Sequence, residues 1–171
     1  MLKIEFIHPK FLPTWILILL MRIGVFIPFQ FQVILGKIIG KVIYPFMSKL
    51  RATAYSNISN CFPEKKQPQV TSLVKQHFEA IGISLFETAN AYYGSDRKIK
   101  KLFTISNEHH FRDALKKEGG IILLCSHFMP LMLGSRALLI NNTIANIYRP
   151  QNNPLFDQVM VKGYMKNGAV M

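Results

Sequence analysis

A chain of 171 residues has enough length for one domain with a proper core and too little for two of ordinary size. Its 21 Lys and Arg against 9 Asp and Glu give a formal net charge of +12, yet 50% of its residues are hydrophobic. Nucleic-acid binders carry their basic charge on a polar surface, so basicity combined with this apolar content argues against one. It favours an anionic membrane face or an acidic protein partner. Cys61 and Cys125 lie far apart with no C-x-x-C pair, which excludes a cysteine zinc site and fits a reducing, cytosolic setting. Both cysteines read as small core residues.

In chain order, residues 11–35, FLPTWILILLMRIGVFIPFQFQVIL, form the most hydrophobic stretch. Arg22, Gln30 and Gln32 interrupt it, and Pro13 and Pro28 bend it. Two readings fit. One is a membrane-spanning helix, which needs about 20 mostly apolar residues; the other is an interfacial helix with Arg22 reaching the headgroups. Lys3 and Lys10 before the stretch, and Lys37, Lys41, Lys49 and Arg51 after it, leave little charge contrast to orient a span. No small-x-small site follows, so a cleaved signal peptide is not expected. Residues 1–50 are therefore expected to be a membrane-anchoring or interfacial helical segment.

The chain turns polar at RATAYSNISNCFP, and EKKQPQ reads as a surface turn before a helix whose first turn holds Pro68. Val70, Val74, Phe78, Ile81, Leu85, Ala89 and Tyr92 recur every three or four residues, which predicts an amphipathic helix. GSDRKIKK reads as a basic, solvated connector. Asn107 is a cap for a helix running to about Lys117, ended by Gly119 and Gly120. IILLCS, Ile121 to Ser126, is a short continuous apolar run typical of a strand buried on both faces. Pro130 opens the helix LMLGSRALLI, and Asn141 and Asn142 close it. IANIY predicts a second strand, Pro154 starts a helix to about Lys166, Gly168 stops it, and Ala169 to Met171 begin a third strand. Strands alternating with helices imply a parallel α/β sheet, and the alternation is still running where the chain ends.

His127 stands just past the first predicted strand, where an open parallel sheet binds ligands. Ser126 and His127 are poor partners for a shared proton, because neighbours on an extended chain point to opposite faces. A metal site is poorer, since His8, His77, His109 and His110 have no ligand spacing relative to His127. Two readings remain open from position alone: a structural histidine, or a general base that takes a proton from an attacking hydroxyl.

Three blocks bear on that choice: RATAYSNISNCFPE (Arg51 to Glu64), EHHFRDALKKEGGIILLCSHF (Glu108 to Phe128) and YRPQNNPLFD (Tyr148 to Asp157). Together, in this order and spacing, they resemble the lipid A biosynthesis (late) acyltransferase family, which is lysophospholipid-acyltransferase-like. The resemblance covers nearly the whole chain. It implies an inner-membrane enzyme, facing the cytoplasm, that moves a fatty acyl chain from acyl carrier protein to a hydroxyl of an anionic lipid A precursor, without cofactor, metal or nucleic acid. It also implies that residues 51–171 are the N-terminal part of an α/β acyltransferase domain.

In that family the histidine of an H-x-x-x-x-(D/E) motif deprotonates the acceptor, and the acid orients its ring. His127 matches the histidine, but the acid position holds Met132. A thioether neither accepts the ring N–H strongly nor offsets an imidazolium. The arginine that often follows a glycine in the helix beyond the YRP block is matched by Tyr164, after Gly163. Arg149 keeps the YRP arginine as a substrate contact, whereas Asn153, Pro154 and Asp157 also suit the start of a helix. Relatives continue for about another half-domain. The expectation is therefore an acyltransferase copy with impaired activity; the alternative is a non-catalytic, membrane-bound remnant that binds acyl carrier protein or lipid.

Overall fold

A computed structural model describes residues 4–117, 120–145, 147–166 and 168–170. Short 3-10 turns at Ile4–Ile7 and Pro9–Phe11 lead into helix α1, Leu12–Gly24. Pro28 then ends the first apolar run, and a second helix, α2, covers Phe29–Ile43. A proline before a helix start lies outside the intrahelical ladder, so the break falls where the sequence places it. Neither of these helices, nor any other among the described residues, is long and apolar enough to cross a membrane.

Helix α3 spans Ser48–Cys61 and α4 spans Gln67–Tyr93. Gln69 reaches back to the start of α4, where its Oε1 accepts from the Lys66 backbone N–H at 2.8 Å. Val70, Val74, Phe78, Ala89 and Tyr92 are buried on the expected face, while Leu85 is exposed. Helix α4 is the central post of the fold, packing against α1, α2 and α3 and against two later helices, α7 (Leu131–Leu139) and α8 (Pro154–Lys166). Its crossing with α2 is close: a Cβ on Gly82 would lie 1.9 Å from the carbonyl oxygen of Gly36. Glycine at both positions lets the two backbones touch.

GSDRKIKK is more than a connector. It forms helix α5, Asp96–Leu102, in which Ile99 is fully buried and Ser95 accepts a hydrogen bond from the Lys98 backbone N–H. Lys98 Nζ donates to the backbone carbonyl of Val25, and also to that of Ile27 at 3.4 Å. A cation there complements the negative end of α1, and burial lowers its pKa. Counting charges alone hid this role.

Helix α6, Glu108–Leu115, begins after Asn107, whose φ of 56° is left-handed and whose side chain makes no capping bond. Helix α7 covers Leu131–Leu139, followed by strand β1 at Ile144–Ala145. Helix α8 covers Pro154–Lys166, and strand β2 lies at Ala169–Val170. The two strands pair in parallel, with Ile144 opposite Ala169 and Ala145 opposite Val170. Gly119, Asn146 and Met171, which belong to the expected helix end and strands, lie outside the described residues.

Two expectations need correction. Ile121 to Ser126 has no regular secondary structure, and the side chains of Ile122 and Leu124 are 99% and 100% exposed. A strand exists only within a ladder, and no strand among the described residues pairs with this run. The cysteines are likewise not core residues: Cys61 at the end of α3 and Cys125 in the irregular run are both exposed.

Candidate active site around Met132 and His127

The end of the apolar run folds locally as a turn. The Phe128 N–H donates to the Ser126 carbonyl at 2.9 Å, and the Leu131 N–H donates to the Phe128 carbonyl at 3.0 Å. His127 is exposed in this turn, and its ring has no hydrogen-bond partner among the described residues. Pro130 then sets the first turn of α7, with its carbonyl accepting from the Gly134 N–H at 2.9 Å.

On α7, the half-buried Met132 packs against the core cluster that includes Tyr92, Ile99 and Leu133, and lines one void with Ala91 and Tyr92. The hydroxyl of Tyr164, on α8, lies 2.6 Å from the Met132 sulfur. Two residues that each depart from the motif of the resembled family are thus neighbours in space, although 32 positions separate them in sequence. Both replacements are uncharged, so the contact holds no ion pair. Burial raises the Tyr164 hydroxyl pKa. Burial also raises that of Tyr92, helped by the nearby phenols of Tyr164 and Tyr93, so the Tyr92 and Tyr164 hydroxyls stay protonated. The rings of Tyr92 and Tyr164 meet edge to face at 5.8 Å. Gly163 makes room for this contact: a Cβ there would lie 2.9 Å from the Tyr92 ring.

One turn beyond Met132, Arg136 is buried and donates through Nη2 to Asp96 at the start of α5. This ion pair ties α7 to α5. The sequence carried a signal for it, an arginine inside the otherwise apolar helix LMLGSRALLI, but nothing in the spacing pointed to Asp96.

Arg149 is exposed in the irregular segment before α8. The residues after it build the helix start. Asn153 Oδ1 accepts from the backbone N–H groups of Leu155 and Phe156, each at 3.1 Å, and Asp157 Oδ1 accepts from the Gln151 N–H at 2.8 Å. Asn153 Nδ2 also donates to Thr14 Oγ1 at 2.7 Å, fastening α8 to α1, beside the fully buried Leu155. The YRP block therefore anchors the first helix while leaving its arginine on the surface. No group of His, Cys, Asp and Glu among the described residues has the geometry to hold a metal ion.

The profile of the bacterial lipid A biosynthesis acyltransferases matches residues 2–171, and the chain belongs to this family. It is 28% identical over 167 residues to the lipid A biosynthesis palmitoleoyltransferase of Escherichia coli (strain K12), covering 98% of this chain and 55% of that protein. It is 30% identical over 165 residues to the lipid A biosynthesis lauroyltransferase of the same strain, covering 96% of this chain and 54% of the relative. A lipid A biosynthesis acyltransferase of Haemophilus influenzae is 25% identical over 169 residues, covering 98% and 54%. The chain thus spans about half the length of the curated relatives it matches. No solved structure matches it.

Proposed function

We propose that this chain is the part of a lipid A acyltransferase that carries its histidine, and that its own activity is impaired. In the intact reaction an acceptor hydroxyl of the lipid A precursor loses its proton to His127 as its oxygen attacks the thioester carbonyl of acyl carrier protein. The ester forms, and the thiol of the carrier leaves with a proton. Arg149, exposed and cationic, is the contact for a phosphate of the acceptor. The observation that carries the impaired reading is Met132 against Tyr164, where the family resemblance implies an acid. An imidazole without that acid has neither a fixed tautomer nor a counter-charge for its protonated form.

In this reading β1 and β2 begin a parallel α/β sheet, and His127 lies in the irregular run that precedes α7. The β1–β2 pairing supports that fold class.

The inner-membrane location rests on the first two helices. Leu19, Leu20, Ile23, Phe26, Phe31, Ile34 and Ile38 are exposed, and residues 6–63 contain six Lys and Arg and no acid. Helix α1, with 13 residues, is about 20 Å long, short of the ~30 Å hydrocarbon core. An interfacial seat on the anionic cytoplasmic leaflet, rather than a span, fits both facts. Arg22, exposed on α1, lies 5.3 Å over the Tyr93 ring.

The test is acyl transfer from acylated carrier protein to a lipid A precursor in detergent, with His127→Ala beside the parent. Turnover equal to that of a full-length relative, lost on His127→Ala, would overturn the impaired reading. The second reading, a non-catalytic membrane-bound partner of acyl carrier protein or lipid, is favoured by the same Met132 contact. It requires binding of carrier protein or lipid with no turnover in any variant at position 132.

A further inference from the structure

The proposed reaction leaves unexplained the polar groups buried around Met132. Arg136 follows it by four residues on α7, so the two side chains share one helical face. Arg136 is 6% exposed, and although Nη2 reaches Asp96, its Nε is buried with no acceptor. Native interiors rarely leave a guanidinium N–H in this state, since desolvation is then uncompensated. Tyr164, on α8, brings its hydroxyl to 2.6 Å from the Met132 sulfur. Met132, Arg136, Tyr164, Tyr92 and Gly163 line one void with no room for a water molecule, so no solvent answers these donors.

A thioether is a weak acceptor, whereas a carboxylate accepts strongly and carries the charge that complements a guanidinium. We propose that Arg136 and Tyr164 form a carboxylate socket around position 132, in which Arg136 is the positioning residue for an acid that this chain lacks. The inference rests on the proposed function, because only the family resemblance implies an acid at 132. It adds that the donors for that acid are still present. An acid at 132 also stands N-terminal to the arginine at i+4, the more favourable order on a helix.

The groups facing this socket are Tyr92 from α4, Asp96 from α5, Arg136 from α7 and Tyr164 from α8. Asp96 is the acid among them, and its side chain is 58% exposed while pairing with Nη2. Nε and the Tyr164 hydroxyl remain for a second carboxylate.

The test is equilibrium unfolding of Met132→Glu in the full chain, between about pH 4 and pH 8, with Met132→Gln as the uncharged control. An acid held by donors has its folded pKa below its unfolded value. Its contribution is then present above the unfolded pKa and lost as pH falls. The expected result is a folded-to-unfolded ratio for Met132→Glu, relative to Met132→Gln, that rises about tenfold or more with pH. That rise is expected to vanish in the Arg136→Met background. A ratio that falls with rising pH, or a rise that survives Arg136→Met, overturns the socket. Should Arg136→Met not fold, carbon NMR of the introduced carboxyl decides: a pKa below the ordinary glutamate range supports the proposal, and one at or above it overturns it. None of these readouts needs acyl transfer. An inactive Met132→Glu chain with a lowered carboxyl pKa would support the socket and count against the proposed reaction; an active one with a raised pKa would do the reverse.

Discussion

The side-chain amide of Asn90 donates to Gln32 Oε1 at 2.6 Å, joining α4 to α2 between two side chains with no exposed surface. Gln32 Nε2 in turn donates to the carbonyls of Gly24 and Ile27, at 2.8 and 3.0 Å, where α1 ends and the turn to α2 begins. Helix ends leave carbonyls short of intrahelical partners, and this one glutamine adds a donor to two of them, beside the Ile27 N–H on Gly24 at 3.1 Å and Lys98 on Ile27 at 3.4 Å. Gln32→Leu is expected to lower unfolding stability by about 1–3 kcal/mol, because the buried Asn90 amide loses the acceptor it has in Gln32 and two further hydrogen bonds go with it. The pair Gln32→Leu with Asn90→Leu should cost less than the sum of the single changes, which chemical denaturation of all four chains measures.

Gly82 offers a steric test of the α2–α4 crossing. A Cβ there would sit 1.9 Å from the Gly36 carbonyl oxygen, a backbone atom that cannot step aside. Gly82→Ala is expected to cost about 2 kcal/mol or more. Gly134→Ala, whose Cβ would be 3.9 Å from the Phe103 ring, should be neutral or stabilising by up to about 1 kcal/mol, in line with helix propensity. Equal effects of the two changes would mean that the helices do not cross this closely.

Glu87 gives a pH signature. Burial raises its carboxyl pKa above the ordinary value of 4.5, so the folded state binds its proton more tightly than the unfolded chain does. Stability is therefore lost as pH rises through the unfolded pKa toward the folded one. Glu87→Gln should unfold at higher denaturant than the parent at pH 7 and together with it near about pH 4. A parent that is the more stable of the two at pH 7 would show that the carboxylate has a partner that outweighs its burial.

Phe26, 88% exposed in the turn between α1 and α2, is the most exposed large side chain of the apolar face from Leu19 to Ile38. Burying a phenylalanine contributes about 1.5–3 kcal/mol. Phe26→Ser should therefore weaken sedimentation with anionic vesicles about tenfold or more, with binding to neutral vesicles weaker throughout. Vesicle binding unchanged by Phe26→Ser would remove this face from the membrane contact.

Most helices were legible in the sequence, α3 and α5 were not, and the run before His127 was read as a strand that the fold does not form. Pro28, Pro68, Pro130 and Pro154 mark helix starts through local constraints on φ, and such signals survive whatever the tertiary context. Ile121 to Ser126 has strand composition, but pairing depends on a neighbour, which composition cannot supply. The site divides in the same way. Met132 and Tyr164 could each be read as departures from a motif, while their contact, and the burial of Arg136 beside them, needed the packing of α7 on α4 and α8. Lys98 was hidden for a different reason: a run of basic residues looks like a solvated face, and only the fold carries one of them to the end of α1.

The central claim, that the His127 site descends from a working acyltransferase and is disabled at position 132, is tested most directly by acyl transfer from carrier protein to a lipid A precursor. The parent, Met132→Glu, and Met132→Glu with His127→Ala should be compared. Loss of an orienting acid lowers turnover about ten-thousandfold in a serine protease triad, which sets the available scale. The account expects the parent at background, Met132→Glu at least about tenfold above it, and a return to background when His127 is removed. No gain from the carboxylate, or a gain that persists without His127, would contradict it.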